Sequence, residues 1–229
     1  MSKSSILVWD APTRVFHWAL ALSFVGAFVT ADSERLRDVH VVLGYSVLGL
    51  IAFRLIWGVL GTRYARFTSF AFGPRAVVAY LKSLLALRPQ HFLGHNPAGS
   101  FAIYALLALG LLTGLTGYAH YNDLGGEWLQ DLHESLANAM LAVVFVHIAG
   151  VVVSSFLHRE NLARTMVTGY KTGDPARAIR SSRWVVAALL VASVAGLWTG
   201  VIPVPDAGPG ASTIAASGPA KHAERDRKH

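Results

Sequence analysis

The chain has 229 residues, of which 53% are hydrophobic and 14% charged, and its mean hydropathy is +0.45; this is too apolar for a water-soluble domain of that length and predicts several membrane spans. There is no cysteine, which excludes disulfides, thiolate metal centres, iron–sulfur clusters and covalently attached c-type haem together. The net charge of +7 does not point to nucleic acid, because the basic residues fall in blocks between apolar segments, as the flanks of membrane helices do.

Met1 to Thr13 contains Asp10 and Pro12 and no small-residue cleavage site, so no removable signal peptide is expected. Five segments approach the ~20 mostly apolar residues that a spanning helix needs. They run from about Val15 to Thr30, His40 to Leu60, Ser100 to His120, Leu132 to Phe156, and Trp184 to Ile202. The first is short, and Asp10 and Arg14 with Trp9 and Trp18 mark an interfacial start. Between the second and third, Pro74 to Leu87 sets Val77, Val78, Tyr80, Leu81 and Leu84 on one side of a helix, the pattern of an interfacial amphipathic segment. From Pro203 to His229 the chain is rich in Pro, Gly, Ala, Ser and charge, which predicts a disordered tail. The expected organisation is a membrane bundle over 1–171, a linker and additional helix over 172–202, and the tail over 203–229.

Basic residues near helix ends resist translocation, whereas acids count for little. Arg63, Arg66, Arg75, Lys82 and Arg88 lie between the second and third spans, and Arg159, Arg164, Lys171, Arg177, Arg180 and Arg183 between the fourth and fifth. The other two connections hold only Arg35 and Arg37, alongside Asp32, Glu34, Asp38, Asp123, Glu127 and Asp131. The expectation is a multi-pass protein of a bacterial inner membrane with a cytoplasmic N-terminus and a periplasmic tail.

Ligating groups are costly inside a membrane, so an intramembrane histidine is a functional candidate, although any single one is equally explained as a buried, hydrogen-bonded residue. Their arrangement says more. His133 and His147 are 14 residues apart in one predicted helix, which is about four turns and about 21 Å, so they share a face at different depths. His17 opens the first span on the cytoplasmic side and His40 opens the second on the periplasmic side. Depth therefore pairs His17 with His147 and His40 with His133. Two imidazoles facing each other across a bundle suit low-spin b haem, which brings four equatorial nitrogens of its own; zinc would require three or four ligands at one point. Gly44, Gly49, Gly110, Gly114 and Gly117 are candidates for giving a flat macrocycle room, with helix packing as the alternative. Arg54 lies 14 residues after His40, at the depth of the cytoplasmic haem, where it is expected to pair with a haem propionate or else snorkel to the headgroups. Arg14 reads mainly as an interfacial anchor. His120 is a substitute candidate for His40 or His133, while His91, His95, His158, His222 and His229 read mostly as solvated.

Several short motifs recur in one order. Trp9-Asp10-Ala11-Pro12-Thr13-Arg14 and Phe16-His17-Trp18 are followed by His40 with Gly44-Tyr45, Phe53-Arg54-Leu55 with Trp57-Gly58, Tyr64-Ala65-Arg66-Phe67, Gly94-His95-Asn96-Pro97-Ala98-Gly99, Thr113-Gly114, His133-Glu134, His147 and His158-Arg159-Glu160-Asn161-Leu162. Together, from about Leu7 to Lys171, they resemble the bacterial cytochrome b-561 and nickel-hydrogenase b-type subunit family. The resemblance implies an all-α membrane protein, a four-helix bundle holding two b haems on His17, His40, His133 and His147, with the fifth C-terminal helix outside the matched part. It also implies electron transfer between the quinone pool and a periplasmic redox partner, such as a hydrogenase or a c-type cytochrome.

For the quinone, His95, Asn96 and Gly99 at the cytoplasmic entrance of the third span are candidates for holding a carbonyl and its proton. An ordinary helix cap followed by a first-turn proline explains the same residues. Two other functions remain open from the residues: a stand-alone quinol-dependent oxidoreductase acting on a small oxidant such as superoxide, and a haem-free structural subunit. No paired-histidine motif with a neighbouring catalytic carboxylate supports a zinc hydrolase.

Overall fold

A computed structural model describes residues 4–204; most of the tail segment, together with His222 and His229, lies outside the described residues. Among the described residues four helices are long and apolar enough to cross a membrane: α1 (Ala11–Thr30), α2 (Arg37–Leu60), α4 (Pro97–Tyr121) and α5 (Trp128–His158). The amphipathic segment between the second and third forms α3 (Pro74–Leu85). Beyond α5 come α6 (Leu162–Thr168) and α7 (Trp184–Trp198).

Capping explains where α1 and α4 start. The Asp10 side chain accepts the Thr13 N–H at 2.8 Å and the Asn96 side chain accepts the Gly99 N–H at 2.7 Å. Each is followed by a proline in the first turn, where the missing N–H costs nothing. Both helices therefore begin three to four residues before the apolar pattern does. α5 ends with Arg159 in the left-handed conformation.

The four spans pack as two antiparallel pairs, α1 with α2 and α4 with α5, joined through α2 against α4. α5 makes no comparably extensive approach to α1 or α2 among the described residues. Gly110 and Gly114 serve the α2–α4 contact, since a Cβ on them would press on the side chains of Ile51 and Leu48. The central core joins Phe16 and Phe24 of α1, Val47, Leu50 and Ile51 of α2, Leu107 of α4, Met140 of α5 and Leu190 of α7. The C-terminal helix is shorter than the segment expected to span: its 15 residues extend about 22 Å against a hydrocarbon thickness of about 30 Å. It stops because Thr199 caps it and Gly200 turns to positive φ. It docks on α1 and α2, with the Trp198 indole donating to Ser46 Oγ at 3.0 Å.

One feature has no hydropathy signature. β1 (Ser4–Leu7) pairs antiparallel with β2 (Tyr170–Gly173), Ser4 opposite Gly173 and Leu7 opposite Tyr170. Gly169 directs the chain into this ribbon at φ +88°, where a Cβ would lie 2.7 Å from the Trp9 carbonyl. Its own carbonyl accepts the Val8 and Trp9 N–H groups. Ile6, Val8, Trp9 and Tyr64 form a second small core with Leu93, Met166 and Ile179. This cap closes the end of the bundle where α1 and α4 begin and α2 and α5 finish, which also carries the two basic loops; it is the arginine-rich end. The opposite end carries Asp32, Glu34, Asp38, Asp123, Glu127, Asp131 and Glu134, all exposed, and is the acidic end.

Candidate functional site

At the acidic end, His40 near the start of α2 and His133 near the start of α5 face each other with ring centroids 6.1 Å apart. Each Nδ1 lies 2.8 Å from a backbone carbonyl, Ala27 for His40 and Thr113 for His133. A carbonyl only accepts, so both Nδ1 atoms carry the proton and both Nε2 atoms keep a lone pair. The two carbonyls are built alike. Each also accepts a threonine hydroxyl three residues on, Thr30 at 3.1 Å and Thr116 at 3.0 Å. Gly117 makes the second one reachable, because a Cβ there would meet His133 Cε1 at 2.7 Å and Nδ1 at 2.9 Å. Gly44, one turn beyond His40, has nothing within 4 Å of such a Cβ.

At the arginine-rich end, His17 of α1 and His147 of α5 are electrostatic neighbours of each other and of His95. The surroundings differ from the other end. His17 Nδ1, Trp9 Nε1, Arg54 NH1 and His95 Nδ1 are all buried without a hydrogen-bond partner among the described residues. Arg54 does not reach the headgroups: it is 3% exposed, with its guanidinium 4.8 Å above the Phe67 ring and 5.8 Å from Phe70. A buried cation with an unpaired N–H is costly unless an anion meets it.

Asp10 is the residue whose importance the sequence understated. Besides capping α1, its other carboxylate oxygen accepts from Trp57 Nε1 at 3.1 Å and Thr62 Oγ1 at 2.6 Å, tying the start of α1 to the end of α2. The sequence marked it only as part of an interfacial start; the cap and the tertiary bonds emerge in the structure.

His95 is not a solvated boundary residue. Its ring lies between Trp9 at 4.6 Å and Phe70 at 4.4 Å, and burial, reinforced by the nearby Arg54 and Lys171 cations, pushes its pKa down to about 3. Asn96 and Gly99 satisfy each other through the helix cap, leaving His95 as the member of that trio with an unused ring nitrogen. His158 is also built in, with Nδ1 2.8 Å from the Ser154 carbonyl and Nε2 3.1 Å from that of Gln90. His120 is exposed at the end of α4, and Arg14 donates to the Val167 carbonyl at 2.7 Å beneath Trp184.

Two neutral imidazoles with free Nε2 atoms on facing helices form a donor set for one transition-metal ion that brings its own equatorial ligands. With metal–imidazole bonds of about 2 Å, two rings sharing an ion have centres roughly 6 Å apart, as His40 and His133 have.

Comparison with known proteins points the same way. Residues 8–169 match the family model described as prokaryotic cytochrome b561. The chain is similar to a probable Ni/Fe-hydrogenase B-type cytochrome subunit of Cupriavidus necator, at 28% identity over 72% of this chain and 86% of that protein. Proteins of the same name from Rhodobacter capsulatus, at 26% identity over 74% and 82%, and Azotobacter vinelandii, at 27% over 74% and 89%, are similar too. No solved structure matches it.

Proposed function

Since the chain belongs to the prokaryotic cytochrome b561 family, and is thus a membrane b-type cytochrome of electron transport, we propose that it holds two b haems and carries electrons between the quinone pool and a periplasmic redox partner. The observation that carries this reading is the facing pair His40 and His133, each with its Nδ1 proton committed to a backbone carbonyl and its Nε2 left to bind iron. His17 and His147 are the second pair. A bound b haem supplies one-electron chemistry at a potential set by ligation, charge and burial.

The chain's own residues supply the rest. The carbonyls of Ala27 and Thr113 orient the acidic-end imidazoles. Arg54, buried and unpaired at one N–H, supplies the cation for a propionate at the other end. The separation of α5 from α1 and α2 matches a macrocycle between them, with Gly44 offering an open face. The arginine-rich end faces the cytoplasm of a bacterial inner membrane by the positive-inside rule, which puts the N-terminus inside. The exposed acids at the other end then favour a partner with a basic face, and the named relatives make a hydrogenase the first candidate, a c-type cytochrome the second. For quinone, His95 is the carbonyl donor we favour, neutral and held between Trp9 and Phe70 beside the arginine-rich histidine pair.

The test is the full chain produced with haem available, reconstituted in vesicles and supplied with quinol. Two haems per chain and reduced b-type bands appearing on quinol addition are expected. Absence of b-type bands would overturn the haem reading; bands that quinol never reduces would overturn the quinone assignment.

A further inference from the structure

A cavity of about 250 Å³ opens at the arginine-rich end, lined by Arg63, Tyr64, Ser69, His91, His95 and Arg177 among others, with no carboxylate in its wall. Tyr64 organises it. That side chain is buried; its hydroxyl donates to the Arg177 carbonyl at 2.9 Å, and its ring lies under the Arg63 guanidinium at 5.6 Å. Two arginines from loops more than a hundred residues apart are thereby brought to one wall. Neither has a carboxylate within salt-bridge distance among the described residues, where the ion pair formed is Lys171 with Glu160. The chain from Gly61 to Gly99 contains no acid at all. A neutral ring gains little from such a wall, whereas a phosphate gains two charge-assisted contacts.

The neighbouring surface says where the phosphate comes from. α3 borders this end of the bundle with its buried side on Tyr80, whose hydroxyl lies 3.4 Å from Ser154 Oγ. Its outer side exposes Val78, Leu81 and Leu85, the last 84% exposed. Apolar residues beside a cationic cavity, on a helix with the pattern of an interfacial segment, suit acyl chains next to a headgroup.

We propose that this cavity binds the phosphate of an anionic phospholipid through Arg63 and Arg177, with the acyl chains along α3. His95 borders both this cavity and the proposed quinone contact, but Arg63 and Arg177, which carry the phosphate, take no part in haem or quinone binding. The experiment uses the full chain in neutral detergent, titrated separately with phosphatidylglycerol, cardiolipin, phosphatidylcholine and inorganic phosphate, with native mass spectrometry of retained adducts and the thermal midpoint as readouts. Anionic lipid is expected to be retained and to raise the midpoint. Arg63→Gln with Arg177→Gln is expected to weaken retention by about tenfold or more, each cation near a membrane surface being worth about 1 kcal/mol. Arg164→Gln with Arg180→Gln, which removes equal charge from exposed positions elsewhere, is expected to leave it unchanged. Equal loss in both double variants would overturn a defined site in favour of diffuse surface charge. Binding of millimolar inorganic phosphate with no preference for lipid would overturn the lipid assignment. The midpoint of each lipid-free variant, compared with the parent, separates lost binding from lost folding.

Discussion

The two ends of the bundle solve the same problem differently. At the acidic end the backbone has done the work: His40 and His133 face each other at 6.1 Å with each Nδ1 bonded to a carbonyl, and neither ring has a buried atom lacking a partner among the described residues. At the arginine-rich end His17 Nδ1, Trp9 Nε1, Arg54 NH1 and His95 Nδ1 are buried and unpaired. One end presents two imidazoles oriented by backbone carbonyls. The other keeps hydrogen-bonding capacity in reserve, three nitrogens around a histidine and one on it, as a site for an anionic edge would.

Breaking the arginine-rich end should show this asymmetry most strongly at Asp10. Asp10→Ala removes a helix cap worth about 1 kcal/mol and leaves the Trp57 and Thr62 donors without their acceptor, for a combined loss of about 3 kcal/mol. Thermal unfolding in detergent should register it, and a midpoint unchanged from the parent would show that the Trp57 and Thr62 bonds contribute nothing. Arg54→Leu comes next. It should weaken retention of the haem at the arginine-rich end by about tenfold to a hundredfold, the scale of one charged hydrogen bond, while the other haem stays bound. Haem content after extended dialysis against apomyoglobin measures this; equal loss at both ends would remove Arg54 from the propionate role.

Gly117→Ala sharpens the comparison from the other side. Its methyl would press on His133 Cε1 at 2.7 Å, so a cost of about 1–2 kcal/mol is expected, with the perturbed electron paramagnetic resonance signal confined to the acidic-end haem. At neutral pH the smallest effect belongs to His95, whose contribution lies in the pH dependence. Its folded pKa of about 3 lies below the ordinary 6.5, so the unfolded chain takes up the proton first as pH falls. Stability from this residue is full above about pH 6.5 and declines between there and about pH 3. His95→Phe should remove that slope, about 1.4 kcal/mol per pH unit at most, in unfolding measured across pH 4 to 7, and an unaltered slope would contradict a neutral buried ring.

The spans were legible because an 18-residue apolar run has few other meanings, and the positions of the four histidines along them because helical periodicity converts sequence separation into depth. The expected end-to-end pairing follows from that spacing together with the alternation of basic and acidic loops. What stayed hidden depends on contacts between distant residues. Asp10 reads as an interfacial marker, and only folding shows it as the cap of α1 with Trp57 and Thr62 on its second oxygen. The β1–β2 ribbon joins four residues at one terminus to four beyond α6, too short for any alternation to register. Asn96 and Gly99 show the converse: the local cap explanation of their spacing accounts for the observed bond, while His95 Nδ1 is buried without a partner among the described residues. Trp184 to Ile202 reads as a span by hydropathy alone, yet the helix closes at Trp198 because Gly200 leaves helical geometry.

The most direct test of two separate histidine pairs is the haem count and low-temperature spectrum of four single variants, His17→Ala, His147→Ala, His40→Ala and His133→Ala, each purified as the full chain. The account predicts one haem retained in each, with His17→Ala and His147→Ala sharing one residual spectrum and His40→Ala and His133→Ala sharing the complementary one. A His17→Ala protein whose residual spectrum matched that of His133→Ala would contradict it.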